Sequence, residues 1–150
     1  MMSRTELLEA IITAKITKGL TWSKIAAAVG RSEIWTTAAL LGQQAMSVEE
    51  ANKAIKILGL KPAKDAALLL SQCPSKGSLG MAVPTDPLIY RFYEIIQVYG
   101  STLKEIIHEK FGDGIMSAID YTMTVERKED PKGDRVVVTL DGKFLGYKKW

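Results

Sequence analysis

The sequence of 150 residues holds one cysteine, Cys73, and one histidine, His108. A single thiol excludes an intrachain disulfide and a thiolate metal cluster built within one chain. A single imidazole excludes a His-rich metal centre unless several chains pool their ligands. No metal and no cofactor are therefore expected. Long apolar runs are also missing. The longest span only a few residues, as in Ala66-Ala67-Leu68-Leu69-Leu70, against the roughly 20 that a helix needs to cross a bilayer. The opening Met1-Met2-Ser3-Arg4-Thr5-Glu6 lacks the apolar stretch of a secretory signal, and its acidic residue argues against an organelle transit peptide. These absences lead to the expectation of a cytoplasmic protein with no membrane partner.

An excess of one charge is lacking too. The net charge is +3, with nine Lys/Arg against six Asp/Glu in residues 1–75 and eleven of each in residues 76–150. Neither half is basic enough to demand nucleic acid. What the chain does have is 47% hydrophobic and 25% charged residues, the balance of an ordered globular protein of one ordinary domain or two small ones.

The order of segments predicts an α+β fold. Helix signals crowd residues 1–75. Ser3 caps a helix carrying Leu7, Leu8, Ile11 and Ile12 and stopping at Gly19, and Thr21 caps residues 22–29 before Gly30. Ser32 opens residues 33–41, stopped by Gly42. Ser47 and Glu50 have capping-box spacing for a helix that runs to Gly59, and Pro62 suits the first turn of a fifth helix ending near Cys73-Pro74. Residues 76–86 then read as a linker, rich in Pro, Ser, Gly and Thr, whose Leu79, Met81 and Val83 suit packing against a neighbour.

Residues 87–150 form the second predicted domain. Asp86-Pro87 starts a helix with Leu88, Phe92, Ile95, Ile96 and Tyr99 on one arc, which Gly100 should stop. A further helix should run from Ser101 or Thr102 to Phe111, closed by Gly112-Asp113-Gly114. The period then changes to two at Tyr121, Met123 and Val125. The segment Asp130-Pro131-Lys132-Gly133-Asp134 makes a turn into residues 135–140, and Asp141-Gly142 predicts another turn into residues 143–147. Helices plus a hairpin in so few residues bury too little surface to stand alone, so this domain is expected to build an oligomer, with cover of the sheet by the N-terminal helices as the other solution.

Residues 22–41 have the outline of a helix-turn-helix and resemble repressor-like DNA-binding domains. A recognition helix brings cations and amides to phosphates and base edges, yet residues 33–41 contain no Lys or Arg and do contain Glu33. A helical assembly domain is the preferred reading; a DNA-binding regulator with a C-terminal oligomerisation domain is the alternative. Ile34 and Trp35 are adjacent and cannot both point inward at one depth, so one of them should face a partner.

Arg91 and Glu94 stand three residues apart, hence on one face of the predicted helix, away from the arc of Phe92, Ile96 and Tyr99 and crowded by Tyr90, Phe92 and Tyr93. Left exposed, they would make an ordinary surface ion pair. The stretch Asp86-Pro87-Leu88-Ile89-Tyr90-Arg91-Phe92-Tyr93-Glu94, continued by Gln97-Val98-Tyr99-Gly100 and by His108-Glu109-Lys110-Phe111-Gly112-Asp113-Gly114-Ile115-Met116-Ser117-Ala118-Ile119, resembles the signature region of cyanases. The resemblance extends over nearly the whole chain, including the helical N-terminal domain and Thr139-Leu140-Asp141-Gly142-Lys143; residues 146–150 match the pattern less closely.

The resemblance implies a lyase that joins cyanate to bicarbonate and releases carbon dioxide and carbamate, which breaks down to ammonia and a second carbon dioxide. It implies catalytic roles for Arg91, Glu94 and Ser117, a homodecamer of five dimers with sites shared between subunits, and no metal. A guanidinium suits the two anionic substrates, and a serine hydroxyl can donate to a substrate oxygen or nitrogen. Glu94 is assigned to orienting Arg91, with proton transfer to the cyanate nitrogen as its second role. His108, beside Leu103, Ile106, Ile107 and Phe111, is expected to be a surface or interface histidine in preference to a general acid, and Gly112-Asp113-Gly114 a helix-ending turn in preference to a set of amides for an anion. Ser117 has no His and Asp partners at useful spacing for a hydrolase triad.

Overall fold

The computed structural model describes residues 2–77, 80 and 82–150, so Leu79 and Met81 of the expected linker lie outside the described residues. The chain divides into two compact units, Met1–Ser78 and Leu79–Trp150.

The first unit contains α1 (Arg4–Thr17), α2 (Trp22–Val29), α3 (Glu33–Leu40), α4 (Val48–Leu58) and α5 (Ala63–Ser71). Their starts follow local chemistry. Ser3 Oγ accepts from the Glu6 amide while Glu6 Oε2 accepts from the Ser3 amide at 2.6 Å, and Ser47 and Glu50 form the same reciprocal box. Thr21 and Ser32 accept from Lys24 and Trp35. Each cap satisfies an amide that has no partner inside its helix. Pro62 stands one position ahead of α5 as its N-cap, outside the first turn, and the helix ends at Ser71.

The apolar faces of these helices close on Ile11, Ile25, Val29, Leu40, Ala54, Leu58 and Leu70, all nearly or fully buried. Glu50 is the charged residue drawn into this unit. It is 8% exposed, and Arg31 Nε lies 2.5 Å from its Oε1. The Ser47 amide and then Arg31 hold its carboxyl below the ordinary carboxylate value. Ile34 and Trp35 are both half-buried; Trp35 packs on the rim of the core, with the Arg31 guanidinium 5.5 Å from its ring centroid. The chain beyond α5 is tied back to the same unit. Lys76 Nζ donates to Gln43 O at 2.6 Å and the Gly77 amide donates to Gln43 Oε1.

The second unit is one helix and one hairpin: α6 (Pro87–Phe111), β1 (Gly114–Lys128) and β2 (Arg135–Gly146). Asp86 Oδ1 accepts from the amides of Leu88 and Ile89, both at 2.9 Å, and Pro87 occupies the first turn. Gly100 does not stop this helix, which runs unbroken for 25 residues. An interior glycine costs about 1 kcal/mol relative to alanine, and the apolar stripe of Phe92, Ile96, Tyr99, Leu103 and Ile106 stays in helical register across it. Gly112, with φ of +89°, terminates it, its N–H donating to His108 O.

The strands pair antiparallel, Lys128 opposite Arg135 at the turn and Gly114 opposite Gly146 at the far end. Asp141-Gly142 is not a turn. Both residues sit within β2, opposite Thr122 and Tyr121. The reversal falls between the strands at residues 129–134, where Asp130 Oδ1 accepts from the Lys132 amide and Arg127 Nε lies 2.5 Å from Asp134 Oδ2. The helix meets the hairpin at its C-terminal end, where the Phe111 and Phe144 rings stack at 5.3 Å and His108 Nε2 lies 3.3 Å from Gly114 O. His108 is thus a tether between helix and strand, and the Gly112 N–H is spent on the helix end.

Candidate functional site

Arg91 and Glu94 lie in the first two turns of α6, where three-residue spacing places them on one face. The structure brings them together: Arg91 Nη1 is 3.4 Å from Glu94 Oε2. Both are open, with side chains 62% and 51% exposed. The Arg91 guanidinium carbon also lies 5.6 Å from the Tyr90 ring centroid, and Tyr90 and Tyr93 rings approach at 6.0 Å. One partner on one edge leaves the rest of the guanidinium fork available to an anion.

Ser117 sits on β1, where the strand departs from regular pairing. Met116 pairs with Phe144 and Tyr121 with Gly142, so residues 117–120 of β1 face the single residue Lys143 of β2. Such a surplus bends the strand and re-aims a side chain. Ser117 is 5% exposed, and its Oγ accepts from the Ile119 amide at 3.0 Å and the Asp120 amide at 2.9 Å. Lys143 Nζ, 3.7 Å from Asp120 Oδ2, spans the irregularity. Among the described residues, no hydrogen bond or ion pair joins Ser117 to Arg91 or Glu94 within one chain. The sequence alternation begins to be visible only at Tyr121, so reading periodicity alone missed the bulge. The signal that would have found it is Gly142, a glycine inside a strand.

Of the second unit's described residues, only Gly114 and Ser117 are buried. Along α6 no residue is buried; Leu88 is 69% exposed and Ile96 55%. That apolar face and the open charged pair adjoin on one helix. Among the described residues, no group of three or more His, Cys, Asp and Glu is placed to hold a metal ion, and no helix is long and apolar enough to cross a membrane. In the first unit, α3 carries no Lys or Arg, which leaves the recognition-helix position of the helix-turn-helix outline without cations of its own for a DNA backbone.

Residues 4–74 match the family described as cyanate hydratase, N-terminal, and residues 81–149 match the cyanate lyase C-terminal domain. The chain is 55% identical over 149 residues to a cyanate hydratase of Methylibium petroleiphilum, covering 99% of this chain and 100% of that protein. It is equally 55% identical over 148 residues to a cyanate hydratase of Synechococcus sp., covering 99% of this chain and 97% of that one. A crystal structure of cyanase from T. urticae superposes with a TM-score of 0.79 at 40% identity, covering 93% of this chain and 96% of the other. Matches to both halves, at this identity over the full length, show that the chain belongs to the cyanate hydratase (cyanate lyase) family.

Proposed function

We propose that the protein is a cyanate hydratase acting in the cytoplasm, and that Arg91, Glu94 and Ser117 carry its reaction. The observation that carries this reading is identity of 55% across 99% of the chain to cyanate hydratases. The site chemistry agrees with it. Both substrates, cyanate and bicarbonate, are small anions, and a bicarbonate oxygen adding to the cyanate carbon gathers two negative charges on one intermediate. Arg91 is a permanent cation with a fork of donors to meet them. Cleavage of that intermediate releases carbon dioxide and leaves carbamate, with one proton taken up at nitrogen. Carbamate takes up a second proton as it separates into ammonia and carbon dioxide.

Glu94 is assigned to orienting Arg91, since a carboxylate beside an anion site repels substrate unless its charge is already engaged. Proton delivery to nitrogen is its second role. Ser117 donates its hydroxyl proton to a substrate oxygen or nitrogen. The scheme uses no metal and no cofactor besides bicarbonate as co-substrate.

The assembly in this reading is a homodecamer of five dimers, with Ser117 and the Arg91–Glu94 pair meeting across subunits. An α6 without one buried residue supports it, because apolar surface gains about 25 cal/mol per Å² when removed from water. The test is ammonia release from cyanate by purified protein with and without bicarbonate. Release that requires both substrates, and that disappears in Arg91→Ala and Ser117→Ala proteins of unchanged particle mass, is the expected result. No ammonia with both substrates present overturns it.

A further inference from the structure

The bulge that carries Ser117 closes against one residue of the opposite strand. Ser117 Oγ accepts two amide hydrogens, from Ile119 and Asp120. A hydroxyl has two acceptor lone pairs and one proton. With both lone pairs engaged, the group can enter another hydrogen bond only as a donor, which is the role an anionic substrate requires. The tight turn that supplies those amides also throws Ile119 outward, 98% exposed, while Ser117 stays turned in.

Gly142 makes room for this turn. A Cβ on Gly142 would stand 2.6 Å from Met116 Cγ and 3.3 Å from Met116 Sδ, and would run into the carbonyl oxygen of Ser117 itself. The methionine side chain can swing aside; the carbonyl belongs to the bulge and cannot move without carrying Ser117 with it. Gly142 is in extended pairing opposite Tyr121 and its φ is not positive, so close approach of the two backbones, not a turn conformation, is what requires glycine here.

We propose that Gly142 is a positioning residue for the Ser117 hydroxyl: lacking a Cβ, it lets the bulge settle on β2 with Oγ presented as a donor. This rests on the reading of Ser117 as a substrate-facing group. Full-length Gly142→Ala and the pair Gly142→Ala with Met116→Ala are compared with the parent for particle mass, steady-state rate and calorimetric affinity for malonate, a small dianion standing in for the dianionic intermediate.

Both variants are expected to keep the parent mass. Each loses about 100-fold in kcat, the order of loss that a misplacement of about 1 Å brings, with KM for cyanate moving less than about threefold. Malonate affinity falls about tenfold on Gly142→Ala when Ser117 is present and less than about twofold in a Ser117→Ala background, because coupled residues act through one group. A purely structural role would lower both affinities alike, and that result overturns the proposal. Parental kcat in Gly142→Ala, full recovery in the Met116→Ala pair, or failure of both variants to assemble also overturns it. Parental activity in Ser117→Ala alone is the distinct outcome that sinks the site reading underneath.

Discussion

Arg91 Nη1 and Glu94 Oε2 stand 3.4 Å apart across one turn of α6, so the carboxylate meets one edge of the guanidinium and leaves the rest of its fork open. Under the orienting role, Glu94→Gln keeps an acceptor for Arg91, and kcat/KM should fall about tenfold. A loss beyond about 100-fold, the range of general acid catalysis, together with a changed pH profile, would give Glu94 the proton-transfer role instead. Steady-state ammonia release over a pH series measures both.

Arg91→Lys keeps the charge and removes the planar fork. Its kcat/KM for cyanate should drop about 100-fold or more, the usual effect of removing one donor to a developing anion, and inhibition by small dicarboxylates should weaken in step. A rate within about twofold of the parent would show that a point charge suffices.

Ile96 is 55% exposed on the apolar arc of α6. Ile96→Asp places a charge where the proposed assembly needs dry contact. Sedimentation velocity should show the large particle giving way to smaller species, with activity lost alongside. An intact particle of ten chains would mean that this part of the arc remains wet in the assembly.

Glu50 makes a pH prediction in the first unit. Its folded carboxyl titrates below its ordinary value of 4.5, through the Ser47 amide and then Arg31. Its contribution is therefore fully present above the ordinary value and is lost as pH falls through the lowered one. Glu50→Ala should cost about 1–2 kcal/mol at neutral pH, and the deficit should close in acid. Thermal unfolding of the full-length protein across the acid range checks it; a gap that widens in acid contradicts the assignment.

Thr36 is 0% exposed, and its Oγ1 has no hydrogen-bond partner among the described residues. Burial of an unmatched hydroxyl costs about 1–3 kcal/mol. Thr36→Val keeps the shape and removes that group, so it should raise stability by about 1 kcal/mol with unchanged activity. Calorimetric unfolding decides it, and a lower midpoint would mean that the hydroxyl is satisfied.

Local chemistry was legible in the sequence and long-range pairing was not. The Ser3 and Ser47 boxes form from residues three positions apart, so their signal is complete within one turn. Gly100 misleads because a glycine's stop signal is local, whereas the apolar stripe that carries α6 past it runs in register over several turns. Asp141-Gly142 carries a familiar hairpin signal, yet the partner of Gly142 is Tyr121, and only that distant pairing keeps it in a strand. For the same reason Ser117 could be singled out by the motif around it, while the bulge that aims its hydroxyl could not. The juxtaposition of Arg91 and Glu94 on one helix was visible from spacing, while their catalytic roles came from the resemblance.

The second unit's described residues include only two that are buried, Gly114 and Ser117. On the assembly proposed, the water-covered face of α6 dries only when copies meet, so completion of this unit depends on collisions and its rate rises with concentration, while the local helices of the first unit close at a rate indifferent to it. Dilution then becomes a route to inactivation separate from heat. A freshly made chain remains half adhesive until it finds its fellows, and the rate of synthesis becomes one of the quantities that set how much enzyme a cell obtains.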